Sequence, residues 1–215
     1  METLPVKRPR FESIGSSSVM KKGSAYLARK DATLGKIIRK IGNPDFELHD
    51  DPYNSLIISI ISQQISWAAA SSILQKFRRL YKGKMPTPRQ YLKTSPNRLS
   101  GAGVSPQKSS YLRDLCMRLE SGELKLDNFD DLTDEQIINE LDEVKGIGRW
   151  TAEMFLIFSL GRADVFPLDD LGIKKAVQRA YNLRTLPDKN RLEKISEKWA
   201  PYRSVAALYL WKNHD

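Results

Sequence analysis

The chain has 215 residues, enough for one globular body of one or two lobes with a full core. Lysine and arginine number 35 against 26 aspartate and glutamate residues, so the formal charge is +9. This excess favours a polyanionic partner over an acidic small molecule, and charge that serves only solubility is the alternative. One cysteine, Cys116, and two histidines exclude an internal disulfide, a four-cysteine iron–sulfur cluster, a cysteine-ligated zinc site and a histidine cluster. Any chemistry is therefore expected to rest on carboxylates.

Residues 1–24 are polar and contain two prolines and a run of three serines. This composition predicts a disordered leader. The basic cluster of Lys7, Arg8 and Arg10 predicts a nuclear import signal or an arm that binds DNA nonspecifically, and an idle charged tail is the alternative. The expected location is the nucleus in a eukaryote and the cytoplasm otherwise. No apolar run reaches the ~18 residues of a membrane span, and no secretory signal is visible.

From Tyr26 onward, apolar residues recur at the spacing of buried helix faces. The clearest sets are Leu34, Ile37, Ile38 and Ile41, then Leu56, Ile57, Ile60 and Ile61, and then Leu112, Leu115, Cys116 and Leu119. Ser105-Pro106 predicts a helix start, and Thr133 with Gln136 predicts a capping box. The glycines expected in connections are Gly42, Gly83, Gly101 and Gly122. Because no sustained two-residue alternation is present, we predict an all-α fold of about eight to ten short helices.

No internal repeat is visible, and the helical body is expected to span residues 25–215. One lobe is predicted at about 50–160, and the N-terminal and C-terminal helices are predicted to form a second lobe against it. A cleft is then expected between segments near 53–67, 145–170 and 199–211, which are rich in aromatic and unusual polar residues.

The sequence KGIGRW at 145–150 separates two amphipathic runs. Gly146 and Gly148 lack a Cβ, so the chain can turn sharply and present backbone N–H groups at a helix N-terminus, where phosphate oxygens are attracted. The pattern predicts a hairpin that grips a nucleic-acid backbone. A purely structural turn between two helices is the alternative.

The grouping Pro167-Leu168-Asp169-Asp170 predicts the start of a further helix. One aspartate can cap this helix while the other projects from it. Two capping acids with no catalytic role are the alternative.

Four stretches together resemble the helix-hairpin-helix DNA glycosylases, specifically the alkylpurine (3-methyladenine) DNA glycosylase II branch of bacteria and yeasts. They are KGIGRWTAE at 145–153, FPLDDLGIKK at 166–175, ISQQIS at 61–66, and WAPYRS at 199–204 with YLW at 209–211. The resemblance implies a two-lobed helical fold and an enzyme that flips a damaged nucleotide out of duplex DNA to break its N-glycosidic bond. It assigns catalysis to Asp170, which would stabilise positive charge at C1′ and orient or deprotonate the attacking water. Because many alkylated purines are already cationic, one carboxylate can suffice.

The resemblance also separates this chain from the iron–sulfur relatives of the endonuclease III type. Those relatives place a Schiff-base lysine at the position of Trp150, which has no amine. A monofunctional glycosylase without lyase activity is therefore implied. No cofactor is expected, apart from a cation that the family hairpin often holds through backbone carbonyls. The expected partner is duplex DNA with a damaged or abasic site, and the protein is expected to bind it as a monomer.

By correspondence with the family, Gln64 is expected to wedge into the duplex in place of the flipped nucleotide, with a surface glutamine as the alternative. The hairpin residues expected at phosphates 3′ of the lesion are Lys145, Gly146, Ile147, Gly148 and Arg149. Trp211 is expected to face the lesion pocket. Further aromatic surface would come from Trp150, Tyr53 and Trp67, for which a place in the core is the alternative.

Two positions leave questions open in the sequence. Arg203 is expected either to contact phosphate or the pocket wall, or to form a structural salt bridge. Gly172 stands where many relatives have a bulkier residue, and a glycine there would loosen the helix and remove packing beside the pocket. The leading hypothesis is an alkylpurine DNA glycosylase of base-excision repair, and the alternative is a homolog that binds abasic or distorted DNA with little or no excision. A purely structural helical domain is disfavoured, because it gives no reason for the four motifs to occur together.

Overall fold

The computed structural model describes residues 13–44, 46–49 and 51–214, and within these ranges the fold is all-α and contains no strand. The α-helices in the described residues are α1 Ser17–Lys30, α2 Ala32–Ile41, α3 Pro52–Ser62, α4 Trp67–Arg79, α5 Pro88–Leu92, α6 Pro96–Gly101, α7 Pro106–Ser121, α8 Asp134–Asp142, α9 Arg149–Phe158, α10 Leu171–Ala180, α11 Lys189–Ser196 and α12 Arg203–His214. Short 3₁₀ helices occupy Leu126–Asp131 and Glu197–Trp199. The helices outnumber the prediction because α5 and α6 are too short to show a periodic apolar pattern.

Side-chain caps explain where several helices begin. Ser105 Oγ accepts a hydrogen bond from the N–H of Lys108 at the start of α7, as predicted. The predicted capping box of α8 is confirmed, because Thr133 and Gln136 each accept a hydrogen bond from the backbone of the other. The expectation for Gly101 was wrong, since it is the last residue of α6, where a helix end tolerates glycine at little cost.

The leader prediction for residues 1–24 is wrong over its second part. The serine run begins α1 instead, since Ser16 Oγ accepts a hydrogen bond from the N–H of Ser18. Val19 and Leu27 on this helix and Ile14 before it are buried, which gives the segment the apolar anchor that its polar composition hides. The basic cluster Lys7, Arg8 and Arg10 lies outside the described residues.

The chain divides into two compact units, and one of them comprises His49–Phe155. In this unit α3 packs against α4 and α7, and α5 and α6 pack against α7. Phe129 from the first 3₁₀ helix meets Phe155 edge to face, with 5.9 Å between ring centroids. This packing holds the C-terminal end of α3, the start of α7 and the α8–α9 hairpin in one body.

The other unit contains the described residues up to Leu48 and from Leu156 onward. In it α12 packs against α10, α2 and α1. Tyr209 links α12 to α1 and to the end of α2 through its hydroxyl, which donates to the carbonyl of Gly42 and lies 2.9 Å from Ser24 Oγ. The start of α10 and the end of α12 are thereby fixed in one body.

A buried carboxylate, Asp31, ties this second unit together. It is 3% exposed and caps α2 by accepting from the N–H groups of Thr33 and Leu34. Its other oxygen accepts from side chains of the C-terminal half, namely Tyr181 Oη, Trp199 Nε1 and Lys198 Nζ. Burial alone would raise the pKa of Asp31, but the hydrogen bonds that it accepts outweigh burial and lower the pKa below its ordinary value.

Candidate functional site

The predicted hairpin lies between α8 and α9, and Gly146 makes its turn. Gly146 has φ of +79°, in the left-handed region that favours glycine. A Cβ on Gly146 would lie 2.1 Å from Cδ2 of Tyr111. Glycine is therefore required at this position both by the backbone conformation and by the tyrosine ring that packs on it.

Two long-range hydrogen bonds fix the hairpin to the rest of its unit. Gln63 Nε2 donates to the carbonyl of Gly146 at 2.7 Å. The N–H of Lys145 donates to Asp114 Oδ2 on α7 at 3.0 Å. The turn is thus held by α7 and by the residue that follows α3, and its backbone is preorganised.

Gly148 serves a different purpose from Gly146. Its φ lies outside the left-handed region, and a Cβ built on it would meet only Asp142 Oδ1, at 4.0 Å. Its carbonyl accepts from the N–H of Ala152, so α9 begins here. The first turn of a helix leaves its N–H groups without intrahelical acceptors, and the absent side chain keeps the approach to these groups open.

The residues that flank the glycines differ in how they face solvent. Lys145 is exposed, whereas Ile147 is buried and offers only its backbone to a ligand. Arg149 forms a forked ion pair with Glu135, with N···O distances of 3.0 and 2.7 Å. The hydrogen bonds of this pair raise the pKa of Arg149 and lower that of Glu135. Much of the Arg149 charge is therefore compensated within the protein, and its contact with phosphate stays a prediction.

The predicted wedge, Gln64, lies just beyond the end of α3 with φ of +57° and is exposed. It lines a pocket of about 510 Å³ together with Trp150 at the start of α9. Trp150 is 45% exposed. Gln64 and Trp150 are thus brought to one place within the unit of residues 49–155.

The other aromatic residues predicted for this unit lie elsewhere. Trp67 is 71% exposed and lines a separate groove on α4 with Arg78 and Arg79. The hydroxyl of Tyr53 lies 3.4 Å from Sγ of Cys116 inside the unit, and burial raises the pKa of Tyr53. The structure therefore does not bring Tyr53, Trp67 and Trp150 onto one surface. The sequence did not show that Tyr53, Trp67 and Trp150 have three different environments.

The proposed catalytic acid lies in the other unit, where Asp170 caps α10. Asp170 Oδ1 accepts from the N–H of Ile173 at 2.7 Å and from Trp211 Nε1 at 3.0 Å. The Trp211 indole stacks on Phe158, with 5.7 Å between centroids and 30° between planes. Asp170 and Trp211, which were predicted separately as the catalytic acid and as a residue of the lesion pocket, are therefore in direct contact.

Asp169 has a different environment from its neighbour. It forms ion pairs with Lys189 at 2.7 Å and with Lys174 at 3.7 Å. The hydrogen bond from Lys189 lowers the pKa of Asp169. Lysines thus compensate the charge of Asp169, whereas the hydrogen bonds that Asp170 accepts from Ile173 and Trp211 come from neutral donors.

Gly172 allows the contact between Asp170 and Trp211. A Cβ at position 172 would lie 3.1 Å from Asp170 Oδ1 and 3.3 Å from Cδ1 of Trp211. Both distances are shorter than ordinary van der Waals contact. The glycine therefore creates room for this hydrogen bond rather than only loosening the helix, as its sequence position indicated.

Arg203 supports the start of α12. Its Nε and Nη2 atoms donate to Asp164 at 2.8 and 2.7 Å, and its backbone N–H donates to the same carboxylate at 3.2 Å. Of the two interpretations of Arg203, this geometry supports the structural salt bridge.

For some pocket residues no role was predicted from the sequence. Ser62, Gln107, Lys108 and Tyr111 line the pocket beside Gln64. The Ser105-Pro106 helix start places Gln107 and Lys108 in the first turn of α7, but nothing in the sequence shows that this turn faces the end of α3. Contacts between residues 47 positions apart, such as Lys108 Nζ to the carbonyl of Ile61, decide it.

Metal binding has no support from side chains in the described ranges, where no three histidine, cysteine, aspartate or glutamate residues cluster suitably. At the hairpin, the carbonyls of Val144 and Gly146 accept from Ile147 N and Gln63 Nε2. The cation expected there stays a prediction. Among the described helices, none is both long enough and apolar enough to cross a bilayer.

Comparison with known proteins identifies the family. A family model described as "HhH-GPD superfamily base excision DNA repair protein" matches residues 57–201. The crystal structure of a DNA-3-methyladenine glycosidase from Bacillus halodurans has a TM-score of 0.81 and 36% identity, covering 95% of this chain and 92% of that one. The Schizosaccharomyces pombe 3-methyladenine DNA glycosylase Mag1, in complex with abasic DNA, has a TM-score of 0.80 and 35% identity over 89% and 95% of the two chains.

A further relative, the alkylbase DNA glycosidase-like protein mag2 of Schizosaccharomyces pombe, is 30% identical over 93% of this chain and 96% of its own length. The predicted fold, family and enzyme class, a base-excision repair DNA glycosylase, are confirmed by these matches. The chain belongs to the HhH-GPD superfamily of base-excision DNA repair proteins.

Proposed function

We propose that the protein is a monofunctional DNA glycosylase that excises alkylated purines, 3-methyladenine and 7-methylguanine, from duplex DNA. The observation that carries this proposal is the environment of Asp170, which neutral donors hold in place beside the Trp211 indole. A carboxylate that these hydrogen bonds fix next to an aromatic ring suits a cationic base and the positive charge that develops at C1′.

Asp170 acts on the flipped nucleotide in this mechanism. The N-glycosidic bond between C1′ and the purine nitrogen breaks, and the bonding electrons leave with the base, which is already cationic and departs neutral. The carboxylate stabilises the oxocarbenium-like sugar, orients the water that adds to C1′ and accepts the proton that this water loses. Because the leaving base needs no proton, a second acid is not required, which agrees with Asp169 being paired with two lysines.

The hairpin supports the DNA-binding part of the proposal. Gly148 leaves the start of α9 open to phosphate, and Gln63 and Tyr111 hold the turn in its shape. The structure of the relative Mag1 with abasic DNA supports a partner of the same kind, and we propose that this chain binds damaged or abasic duplex as a monomer.

Absence of lyase activity follows from Trp150. An imine at C1′ needs an amine at the position that Trp150 occupies. Borohydride added to the protein with DNA containing a preformed abasic site should trap no covalent adduct, and no strand should break without heat or alkali. An adduct that disappears when Lys145 or Lys174 is replaced would contradict the monofunctional assignment.

The second candidate is a protein that binds abasic DNA with little excision. The relative mag2, which is matched over 96% of its length, is named a glycosidase-like protein. This name is the reason to keep the second candidate. One pair of measurements separates the two. Single-turnover release of 3-methyladenine and 7-methylguanine from alkylated duplex is compared with affinity for duplex containing tetrahydrofuran, an abasic analogue. Release together with binding supports the glycosylase, and tight binding without release over hours supports the second candidate.

A further inference from the structure

The segment from Pro52 to Arg113 carries the excess positive charge of the chain. It contains ten lysine and arginine residues and no aspartate or glutamate, whereas the rest of the chain contains 25 basic and 26 acidic residues. The segment comprises α3 to α6 and the first half of α7. Because the charge of +9 resides in one part of the unit of residues 49–155, a partner of this part is expected to be acidic.

A groove along α4, here called the α4 groove, lies within this basic segment. Its volume is about 560 Å³, and Ile58 of α3 and Gly83 contribute to its lining. The other lining residues include side chains at the spacing of one helix face, namely Trp67, Ser71, Leu74, Gln75, Arg78 and Arg79. The groove therefore follows α4 from its first residue to its last, and it is formed within one unit.

Trp67 provides an apolar surface at one end of the α4 groove. It is the first residue of α4 and, at 71%, the most exposed of the large apolar side chains in the described part of the chain. Ile58 and Leu74 add apolar surface to the same groove. Tryptophan in a concave surface is typical of the residues that carry most of the binding energy in protein interfaces. This end of the groove therefore suits an apolar side chain of a partner.

Arg78 and Arg79 provide positive charge at the other end of the groove. Both are exposed, and neither forms an ion pair within the residues that the structure describes, in contrast to Arg149 and Arg203. A guanidinium group can bind a carboxylate through two parallel hydrogen bonds. The described residues that line the groove include no carboxylate, so the carboxylate has to come from a partner.

The separation of the apolar end from the charged end favours a peptide over a nucleic acid. Trp67 and Arg78 are eleven residues apart on α4, which corresponds to about 16 Å along the helix. In a nucleic acid every nucleotide carries a phosphate beside its base, so a strand stacked on Trp67 would also need basic side chains at that end. Among the described residues that line the groove, the basic ones lie only at the C-terminal end of α4.

We propose that the α4 groove binds an acidic segment of a partner protein. An apolar side chain of this segment packs on Trp67, and its carboxylates pair with Arg78 and Arg79. An extended segment covers the distance between the two ends with about five residues. The α4 groove shares no lining residue with the pocket beside Gln64, so the inference goes beyond the proposed function and does not depend on it.

Fluorescence anisotropy with labelled peptides tests the proposal. Each of two peptides carries one phenylalanine and a run of glutamates about five residues away, placed after the phenylalanine in one peptide and before it in the other. At least one of them should bind with a Kd of about 100 µM or below, as a weak, transient interface does. Replacing its phenylalanine with serine, or its glutamates with glutamines, should weaken binding about tenfold. Failure of both peptides to bind would overturn the inference.

Variants of the protein locate the peptide on α4. Trp67→Ala and Arg79→Gln should each weaken peptide binding about tenfold, whereas Trp67→Phe, which keeps an aromatic ring, should stay within about threefold of the parent. Two matched controls should stay within about twofold of the parent. Arg89→Gln removes one exposed charge from α5, and Met117→Ala removes an exposed apolar side chain from α7. Equal losses in Arg79→Gln and Arg89→Gln would reduce the binding to attraction by net charge and overturn the inference.

Binding to DNA provides the last comparison. Arg79→Gln should weaken binding to duplex containing tetrahydrofuran no more than Arg89→Gln does, because the α4 groove is assigned to a protein segment and each variant removes one positive charge. A clearly larger loss in Arg79→Gln would assign the groove to DNA and overturn the inference.

Discussion

In the unit of residues 49–155, the pocket beside Gln64 is lined by amides, hydroxyls and the ammonium group of Lys108, whereas in the other unit the candidate site is built around the carboxylate of Asp170. The first set of groups suits phosphates and neutral bases, which present acceptors. The second suits a cationic base and a developing positive charge. The pocket residues and Asp170 belong to different units of the chain. We therefore expect some substitutions to affect DNA binding and others to affect bond cleavage.

The largest expected effect concerns bond cleavage. Asp170→Asn should slow base release by ~10²-fold or more, because the preorganised negative charge is lost from the transition state. Affinity for tetrahydrofuran duplex should be kept or raised. Asp169→Asn is the matched control, and its release rate should stay within about threefold of the parent, because Asp169 faces Lys174 and Lys189. Single-turnover release decides between them, and the reverse ranking would move catalysis to Asp169.

A second carboxylate of the same unit tests structure rather than chemistry. Asp31→Asn should lower the free energy of unfolding by about 2 kcal/mol at pH 6, because a buried acceptor of five hydrogen bonds loses its charge. Since the folded-state pKa of Asp31 lies below the unfolded value of 3.8, its contribution is full above that pH and declines as the pH falls below it.

Urea unfolding of the parent and of Asp31→Asn at several pH values between 6 and 3 measures this difference. The gap between the two proteins should be constant at higher pH and should close below pH 3.8. A gap that closes at higher pH, or that does not depend on pH, would mean that Asp31 is not an ionised anchor of this unit.

The two hairpin glycines sharpen the comparison on the binding side. Gly148→Ala should leave stability within about 0.5 kcal/mol of the parent and weaken binding to every duplex by about tenfold, since only the approach to the α9 N-terminus is obstructed. Gly146→Ala should instead lower stability by more than about 1 kcal/mol, because its positive φ and the Tyr111 ring exclude a side chain. Chemical unfolding and filter binding separate the two effects. Unchanged affinity in folded Gly148→Ala would remove the hairpin from the DNA interface.

Features of the fold and of the site could be predicted where they depend on residues close together in the sequence, and not where they depend on residues far apart. The turn at Gly146 and a helix start capped by Asp169 or Asp170 could be predicted, because turns and helix caps are set by residues a few positions apart. The attachment of the hairpin through Gln63 was not, since that hydrogen bond joins residues 83 positions apart. For the same reason no role was predicted for the pocket residue Lys108, and the sequence did not show the different surroundings of Tyr53, Trp67 and Trp150. Composition likewise misled at α1, where buried Ile14, Val19 and Leu27 outweigh the polar serines.

The smallest expected effect tests how tightly Asp170 is positioned. Gly172→Ala should slow base release about fivefold, because the new methyl group crowds Asp170 Oδ1 and the Trp211 ring and lengthens their hydrogen bond. Stability should be unchanged or slightly higher, since alanine favours a helix by ~1 kcal/mol over glycine. Gly101→Ala, at the end of α6 with nothing within 4 Å of the added Cβ, is the control and should not alter release. Faster release in Gly172→Ala would mean that the Trp211 hydrogen bond restrains Asp170 rather than positioning it, and the same measurement would then favour the weakly excising candidate for the parent protein.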